Sequence, residues 1–138
     1  KEAYSYLTDR RMAAPVPPLG ALPAALPHLT LERLCGGEVL LAGLDRPARL
    51  NALNPTLVTS LHALLDALAG CATTRVLVLH GHGRGFCSGF DMRAGVDMEE
   101  QATLPAQQRF SALIAKLRRI PQPVVAAVTG AAAGGGFS

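Results

Sequence analysis

The sequence has 138 residues and a mass of 14.4 kDa, enough for one domain of ordinary size and too few for two. Apolar residues make up 49% and charged residues 17%, which excludes a disordered chain, and no apolar run approaches the roughly 18 residues of a membrane span. The net charge of +3 comes from scattered Lys and Arg, and an aromatic content of 4% without Trp argues against a base-stacking nucleic-acid module.

Residues 1–27 read as a polar leader followed by a Pro/Ala-rich arm, extended and weakly held, in which Pro15, Pro17, Pro18 and Pro23 break any signal-peptide helix. The folded domain is expected over residues 28–138. Leu29 and Leu31 alternate with Thr30 and Glu32, the pattern of a half-buried strand. Gly36-Gly37 supplies a turn, and Glu38 to Leu44 returns as the second strand of a hairpin. Asn54-Pro55 starts a helix, with a capping side chain followed by Pro at the first helical position. Leu57, Leu61, Leu64, Leu65 and Leu68 form its apolar stripe as far as Ala69, and Gly70 is expected to end it as a left-handed cap.

Arg75 to His80 is a strand whose continuous apolar run suits burial on both faces, with helices outside. A Gly-rich turn follows, and residues 93–104 are polar and loop-like. Phe110, Leu113, Ile114 and Leu117 mark a second amphipathic helix. Lys116, Arg118 and Arg119 lie at its C-terminal end, where cations complement the dipole, and Pro121 and Pro123 terminate it. Val124 to Val128 reads as another buried strand, and Gly130 to Gly136 as a second Gly-rich turn. Hairpin, helix, strand, helix and strand together predict an α/β layout with right-handed crossovers. Cys35, Cys71 and Cys87 form no C-x-x-C pair, which suits reduced thiols in a cytoplasmic protein, Cys35 and Cys71 being structural.

The strand-then-glycine pattern occurs twice and is the most informative feature. Val76–His80 runs into Gly81-His82-Gly83-Arg84-Gly85-Phe86-Cys87-Ser88-Gly89, and Val124–Thr129 into Gly130-Ala131-Ala132-Ala133-Gly134-Gly135-Gly136. If the strands are parallel neighbours, both turns lie at the C-terminal edge of the sheet, where open α/β folds bind ligands. Two such turns can aim two amides at one oxygen, an oxyanion hole suited to a carbonyl that becomes an enolate. The competing reading is that these glycines only make tight turns and close packing. A nucleotide fingerprint fits poorly, because neither G-x-G-x-x-G nor G-x-x-x-x-G-K-[ST] is present.

Other chemistry-bearing residues carry less. His80-x-His82 with Cys87 suggests a metal site only superficially: the two imidazoles are expected on opposite sides of an extended segment, no fourth ligand is evident, and no metal is predicted. Cys87 has no base partner and is read as a pocket-lining thiol. His62 is expected to face solvent. Glu99-Glu100 is read as a solvated acidic patch.

The motifs resemble a known family. Gly83-Arg84-Gly85-Phe86-Cys87-Ser88-Gly89-Phe90-Asp91-Met92 resembles the G-x-x-F-[CS]-[AS]-G-x-D-[LM] signature of the enoyl-CoA hydratase/isomerase (crotonase) superfamily. Pro121-Gln122-Pro123-Val124-Val125-Ala126-Ala127-Val128-Thr129-Gly130 and the glycines to Gly136 resemble its P-V-[IV]-A-A-V-x-G-x-x-x-G-G-G segment. Asp45-Arg46-Pro47-Ala48-Arg49-Leu50-Asn51-Ala52-Leu53 resembles its R-P-x-x-x-N-A-L motif. The resemblance runs from about Leu29 to Ser138 and covers the N-terminal half of a usual family domain.

It implies a crotonase-like (ClpP/crotonase) α/β fold, a spiral of β-β-α units that is incomplete at the C-terminus. It also implies an acyl-CoA thioester as partner, with coenzyme A as part of the substrate and no separate cofactor. By resemblance the backbone N–H groups of Phe90 and Gly135 form the oxyanion hole. Ala48, Arg49 and Leu50 line the adenine and phosphate end, with Arg46 or Arg49 adding charge, and Cys87, Ser88 and Gly89 line the pantetheine path. Asp91, Met92 and Gly134 complete the substrate-binding set, Asp91 as a cap of the following turn rather than a base. The chain departs from the family pattern where hydratases carry a first Glu, two residues after the last glycine: that position is Ser138. A hydroxyl without a neighbouring base has no acid/base capacity near pH 7. The second family Glu falls about twenty residues further on.

The implied activity of a complete form is double-bond isomerisation, hydration or a related lyase step in fatty-acid metabolism, in a homotrimer or hexamer. The alternatives are a non-catalytic acyl-CoA-binding or assembly module, which Ser138 favours, and an inactive truncated fragment. Ser138 falls in the first turn of an expected helix, so Phe137 and a sheet face are expected to be uncovered.

Overall fold

The computed structural model describes residues 25–91 and 100–138. Most of the expected leader and arm, Met92 and Glu99 lie outside the described residues. Strands β1 (Leu29–Leu34) and β2 (Val39–Leu44) form the expected antiparallel hairpin, with Leu29 opposite Leu44 and Leu34 opposite Val39. A tight turn, Cys35–Gly37, with positive φ at all three residues, joins them.

Helix α1 (Pro55–Ala69) begins where Asn54 accepts the Leu57 N–H on its side-chain oxygen at 2.9 Å. Its stripe is fully buried at Leu57, Leu64, Leu65 and Leu68. Gly70 does not take the left-handed conformation expected of it; its φ is −99°. The helix end is finished from elsewhere in the chain. Gln122, buried, donates from Nε2 to the carbonyls of Leu68 at 2.8 Å and Cys71 at 3.1 Å, so the orphan carbonyls need no αL residue.

Strand β3 (Val76–Gly81) pairs parallel with β2, and β5 (Val124–Ala127) pairs parallel with β3, giving the sheet order β1-β2-β3-β5. Short strands β4 (Gly85–Cys87) and β6 (Ala131–Ala132) make a separate parallel pair. Helix α2 spans Glu100–Leu117, so residues 100–104 are helical rather than part of a loop. Pro105 interrupts the apolar pattern there, but Ala, Gln and Leu around it are strong helix formers.

The core lies between one face of the sheet and the helices. Leu40, Ala42 and Leu44 from β2 and Leu77 and Leu79 from β3 meet the stripe of α1, with Leu113 and Ile120 closing the side. Burial of β3 and β5 on both faces is not observed. In β3 only Leu77 and Leu79 are buried, and β5 is exposed over Val125–Ala127. The physical reason is one-sided cover: the described helices pack on a single face, and β5 is the last strand of the sheet.

Candidate functional site

Parallel pairing of β3 and β5 brings both Gly-rich turns out at the same sheet edge, as expected from a shared strand direction. The turns then bind each other. Gly85 and Cys87 pair with Ala131 and Ala132, and the Ala133 N–H donates to the Cys87 carbonyl at 3.0 Å. Gly89 has φ +92°, and a Cβ there would stand 2.8 Å from the Ala133 oxygen and 3.2 Å from the Gly135 nitrogen. Only glycine permits this approach. Gly89, Gly134 and Gly135 are thereby brought together, and Phe90 is next in the chain.

The backbone pattern sets which amides are available. Leu53 makes an isolated parallel bridge with Phe90: its N–H donates to the Gly89 carbonyl at 2.8 Å and its carbonyl accepts the Asp91 N–H at 3.0 Å. In such a bridge the intervening residue, Phe90, turns its own N–H away from Leu53. In the second turn, the 3-10 segment Gly134–Gly136 makes its first internal bond from the Gly136 N–H to the Ala133 carbonyl, at 2.9 Å. The amides of Gly134 and Gly135 precede that bond and are left over by the helix geometry.

A third segment locks against the first turn. After the 3-10 turn Pro47–Arg49, Leu50 and Asn51 take consecutive left-handed conformations with φ 49° and 55°. Asn51 is fully buried and spends every polar atom on backbone. Its Oδ1 accepts the Arg46 N–H at 2.8 Å, and its Nδ2 donates to the carbonyls of His82 at 2.9 Å and Gly85 at 2.8 Å. The Ser88 N–H donates to the Leu50 carbonyl at 2.9 Å, and the Ser88 hydroxyl to the Arg49 carbonyl at 3.4 Å. Residues 48–50 and 87–89 are therefore tied side by side, with Ala48 and Arg49 exposed, Leu50 and Ser88 half-buried, and Cys87 and Gly89 buried.

Arg46 differs from Arg49. Its guanidinium pairs with the Asp91 carboxylate at 2.9 Å, both side chains mostly buried, and also donates to the Ala52 carbonyl. Its charge is thus directed into the turn. The turn that Asp91 was expected to cap lies outside the described residues. The motif contains Asn51 and Arg46 but does not disclose their roles; the signal available was an Asn and an Arg within a loop that lacks Gly, in a chain with two Gly-rich turns.

Beside Gly135 and Gly136 opens a groove of about 830 Å³, walled by Leu79, Phe86, Phe110, Leu113 and Val124 and reaching Ser138. Among the described residues, no carboxylate or imidazole lines it. Ser138 is exposed, its hydroxyl 3.5 Å from the Gly134 carbonyl. Cys87 is buried, which pushes its thiol above the usual range and suits a neutral lining group.

His80 and His82 overturn the expectation of opposite sides. Residues two apart in a strand share a face, and the two rings meet edge-on with centroids 4.8 Å apart. Burial and the neighbouring His82 push the His80 imidazole below its ordinary range, against weaker upward pulls from the Gly81 backbone and Glu32. His62 is half-buried rather than solvent-facing, its Nε2 2.9 Å from the Arg109 carbonyl of α2. Glu100 opens α2.

Comparison with known proteins fits this layout. The model of the enoyl-CoA hydratase/isomerase family matches residues 35–138. A probable enoyl-CoA hydratase of Mycobacterium leprae is 42% identical over 107 residues, covering 72% of this chain and 36% of that protein. The 1,2-epoxyphenylacetyl-CoA isomerase of Escherichia coli is 36% identical over 105 residues, covering 71% of this chain and 39% of that protein. Among solved structures, a putative enoyl-CoA hydratase from Streptomyces coelicolor superposes with a TM-score of 0.74 at 35% identity, over 89% of this chain and 46% of that one. An enoyl-CoA hydratase from Bacillus anthracis gives 0.74 at 29% identity, over 79% and 42%. The chain thus spans less than half the length of these relatives, with the crotonase fold of their matching part. With a family match over most of its length and the three interlocked loops in place, the chain belongs to the enoyl-CoA hydratase/isomerase family.

Proposed function

We propose that this chain binds an acyl-CoA thioester and holds its carbonyl oxygen between the amides of Phe90 and Gly135. The observation that carries the reading is the approach of Gly89 to Gly135, which sets the two amides in neighbouring turns. The surface formed by residues 48–50 and 87–89 takes the coenzyme A arm, with Arg49 exposed at the phosphate end. Charge developing on the thioester oxygen, as an enolate, would be stabilised by two fixed dipoles. Removing one such donor costs roughly 3–4 kcal/mol in comparable sites. Hydratase and CoA-isomerase relatives support the acyl-CoA class and an enolate-forming reaction.

A second reading, acyl-CoA binding without turnover, is favoured by one observation. Among the described residues, neither Ser138 nor any other side chain lining the groove is a carboxylate or imidazole, so none of them is a general acid or base near neutral pH. Isothermal titration with a short-chain 2-enoyl-CoA tests binding, and loss of the enoyl absorbance on incubation tests turnover. Saturable binding that Gly135→Pro abolishes, in a variant whose circular dichroism is unchanged, supports the thioester site. Absence of binding at millimolar ligand rejects it. Binding without loss of absorbance selects the second reading.

A further inference from the structure

The solvent side of the sheet, away from the groove, carries a cluster that the acyl-CoA reading does not use. In the cross-strand register Thr30 of β1 faces Gly43 of β2, and Gly43 faces His80 of β3. His82, two residues further, shares the same side. A methyl group built on Gly43 would stand 2.5 Å from His82 Nε2 and 2.7 Å from His80 Nε2, with Thr30 Oγ1 closer still. Both ring nitrogens thus close over Gly43 from the same side, where any side chain would clash with them, and they lie within about 5 Å of each other. The Thr30 hydroxyl is 2.7 Å from His82 Nε2 and 3.5 Å from the Gly43 carbonyl, so it can turn to that carbonyl when the nitrogen takes another partner. Both imidazoles are partly solvent-accessible.

We propose that His80 and His82 form a two-imidazole site for a borderline divalent transition-metal ion, bound through both Nε2 atoms on the solvent side of the rings that cover Gly43. Metal–imidazole bonds of about 2.0–2.1 Å require the two nitrogens to be within about 4 Å, which small ring rotations supply. Nitrogen ligands of this kind suit Cu²⁺, Ni²⁺ and Zn²⁺, with Cu²⁺ held most tightly. Among the described residues no third His, Cys, Asp or Glu joins the pair, so solvent completes the coordination and the ion stays exchangeable. Glu32, on the same side of β1 and near enough to act on His80, adds favourable negative charge.

Titration of the purified chain with Cu²⁺, read by calorimetry and by electron paramagnetic resonance, tests the site. One ion per chain is expected, with hyperfine structure from two imidazole nitrogens. His80→Gln and His82→Gln should each weaken binding by about tenfold or more, given that loss of even outer-shell partners costs about 10–100-fold. The double variant His28→Gln/His62→Gln should bind like the parent. The spectrum of the parent chain stands independently of whether the variants fold. A spectrum with fewer than two nitrogens, or affinity unchanged in both single variants, overturns the proposal.

Discussion

Asn51 shows how a single side chain can hold three loops. Its amide reaches carbonyls 31 and 34 residues away, and its oxygen takes an amide five residues back, from a side chain that is itself fully buried. Asn51→Ala would leave the buried Gly85 carbonyl and the part-buried His82 carbonyl and Arg46 N–H without this partner, a desolvated group costing roughly 1–3 kcal/mol. The expected loss is several kcal/mol in urea denaturation, with acyl-CoA binding lost in step. A loss below 1 kcal/mol would mean that water replaces the side chain. Arg46 and Asp91 make a parallel case. Breaking a buried pair from one side costs about 3–5 kcal/mol, because the partner charge remains, so Asp91→Asn should destabilise more than the paired replacement Arg46→Met/Asp91→Leu. The sequence motifs placed Arg46 and Asn51 in one loop and Asp91 in another, but nothing local could reveal their partners. A hydrogen-bond acceptor far along the chain leaves no trace in spacing, whereas Asn54-Pro55, whose cap is three residues away, was fully legible.

At the scale of elements, the same distinction separates what pattern reading captures from what it misses. Both helices and the hairpin follow from stripe and alternation, because those patterns are local. The end of α1 does not, because Gln122 finishes it from across the chain. Gly70 therefore carries a specific prediction. In a left-handed cap, Gly→Ala destabilises; with φ −99° and open space where the methyl would go, Gly70→Ala should instead stabilise by about 0.4–1 kcal/mol by restricting the unfolded chain. A fall in melting temperature would restore the left-handed reading. Gly89 gives the opposite case. A Cβ there meets the Ala133 carbonyl and the Gly135 amide, on a backbone that side chains rarely adopt. Gly89→Ala should push the turns apart, and titration calorimetry should show acyl-CoA affinity falling much more than stability does. Equal affinity in the variant would detach the thioester site from this contact. The exposed β5 was misread for a related reason: an apolar run reports suitability for burial and says nothing of which element supplies the cover.

Across the whole molecule, the described cover is one-sided. Val125 and Val128 are about half exposed, and Phe137 is 85% exposed, all on or beside the last strand of the sheet. From Val124 to Ser138 the sequence has no charged residue and no Pro. An edge strand without charge, Pro or bulge is a template for pairing with another chain, and clustered apolar side chains add a non-directional drive to association. The chain alone should therefore self-associate as concentration rises, and light scattering after size-exclusion should report masses above 14.4 kDa. Val125→Lys with Val128→Glu places charge on both the strand and its continuation and should return the chain to a monomer with an unchanged circular dichroism spectrum. Val128 also lines the groove beside Gly135, whereas Val125 does not, so Val125→Lys alone is the variant that should keep any acyl-CoA binding the parent shows. A parent chain that stays compact and monomeric at 14.4 kDa throughout the concentration range would show that the β5 edge needs no further cover.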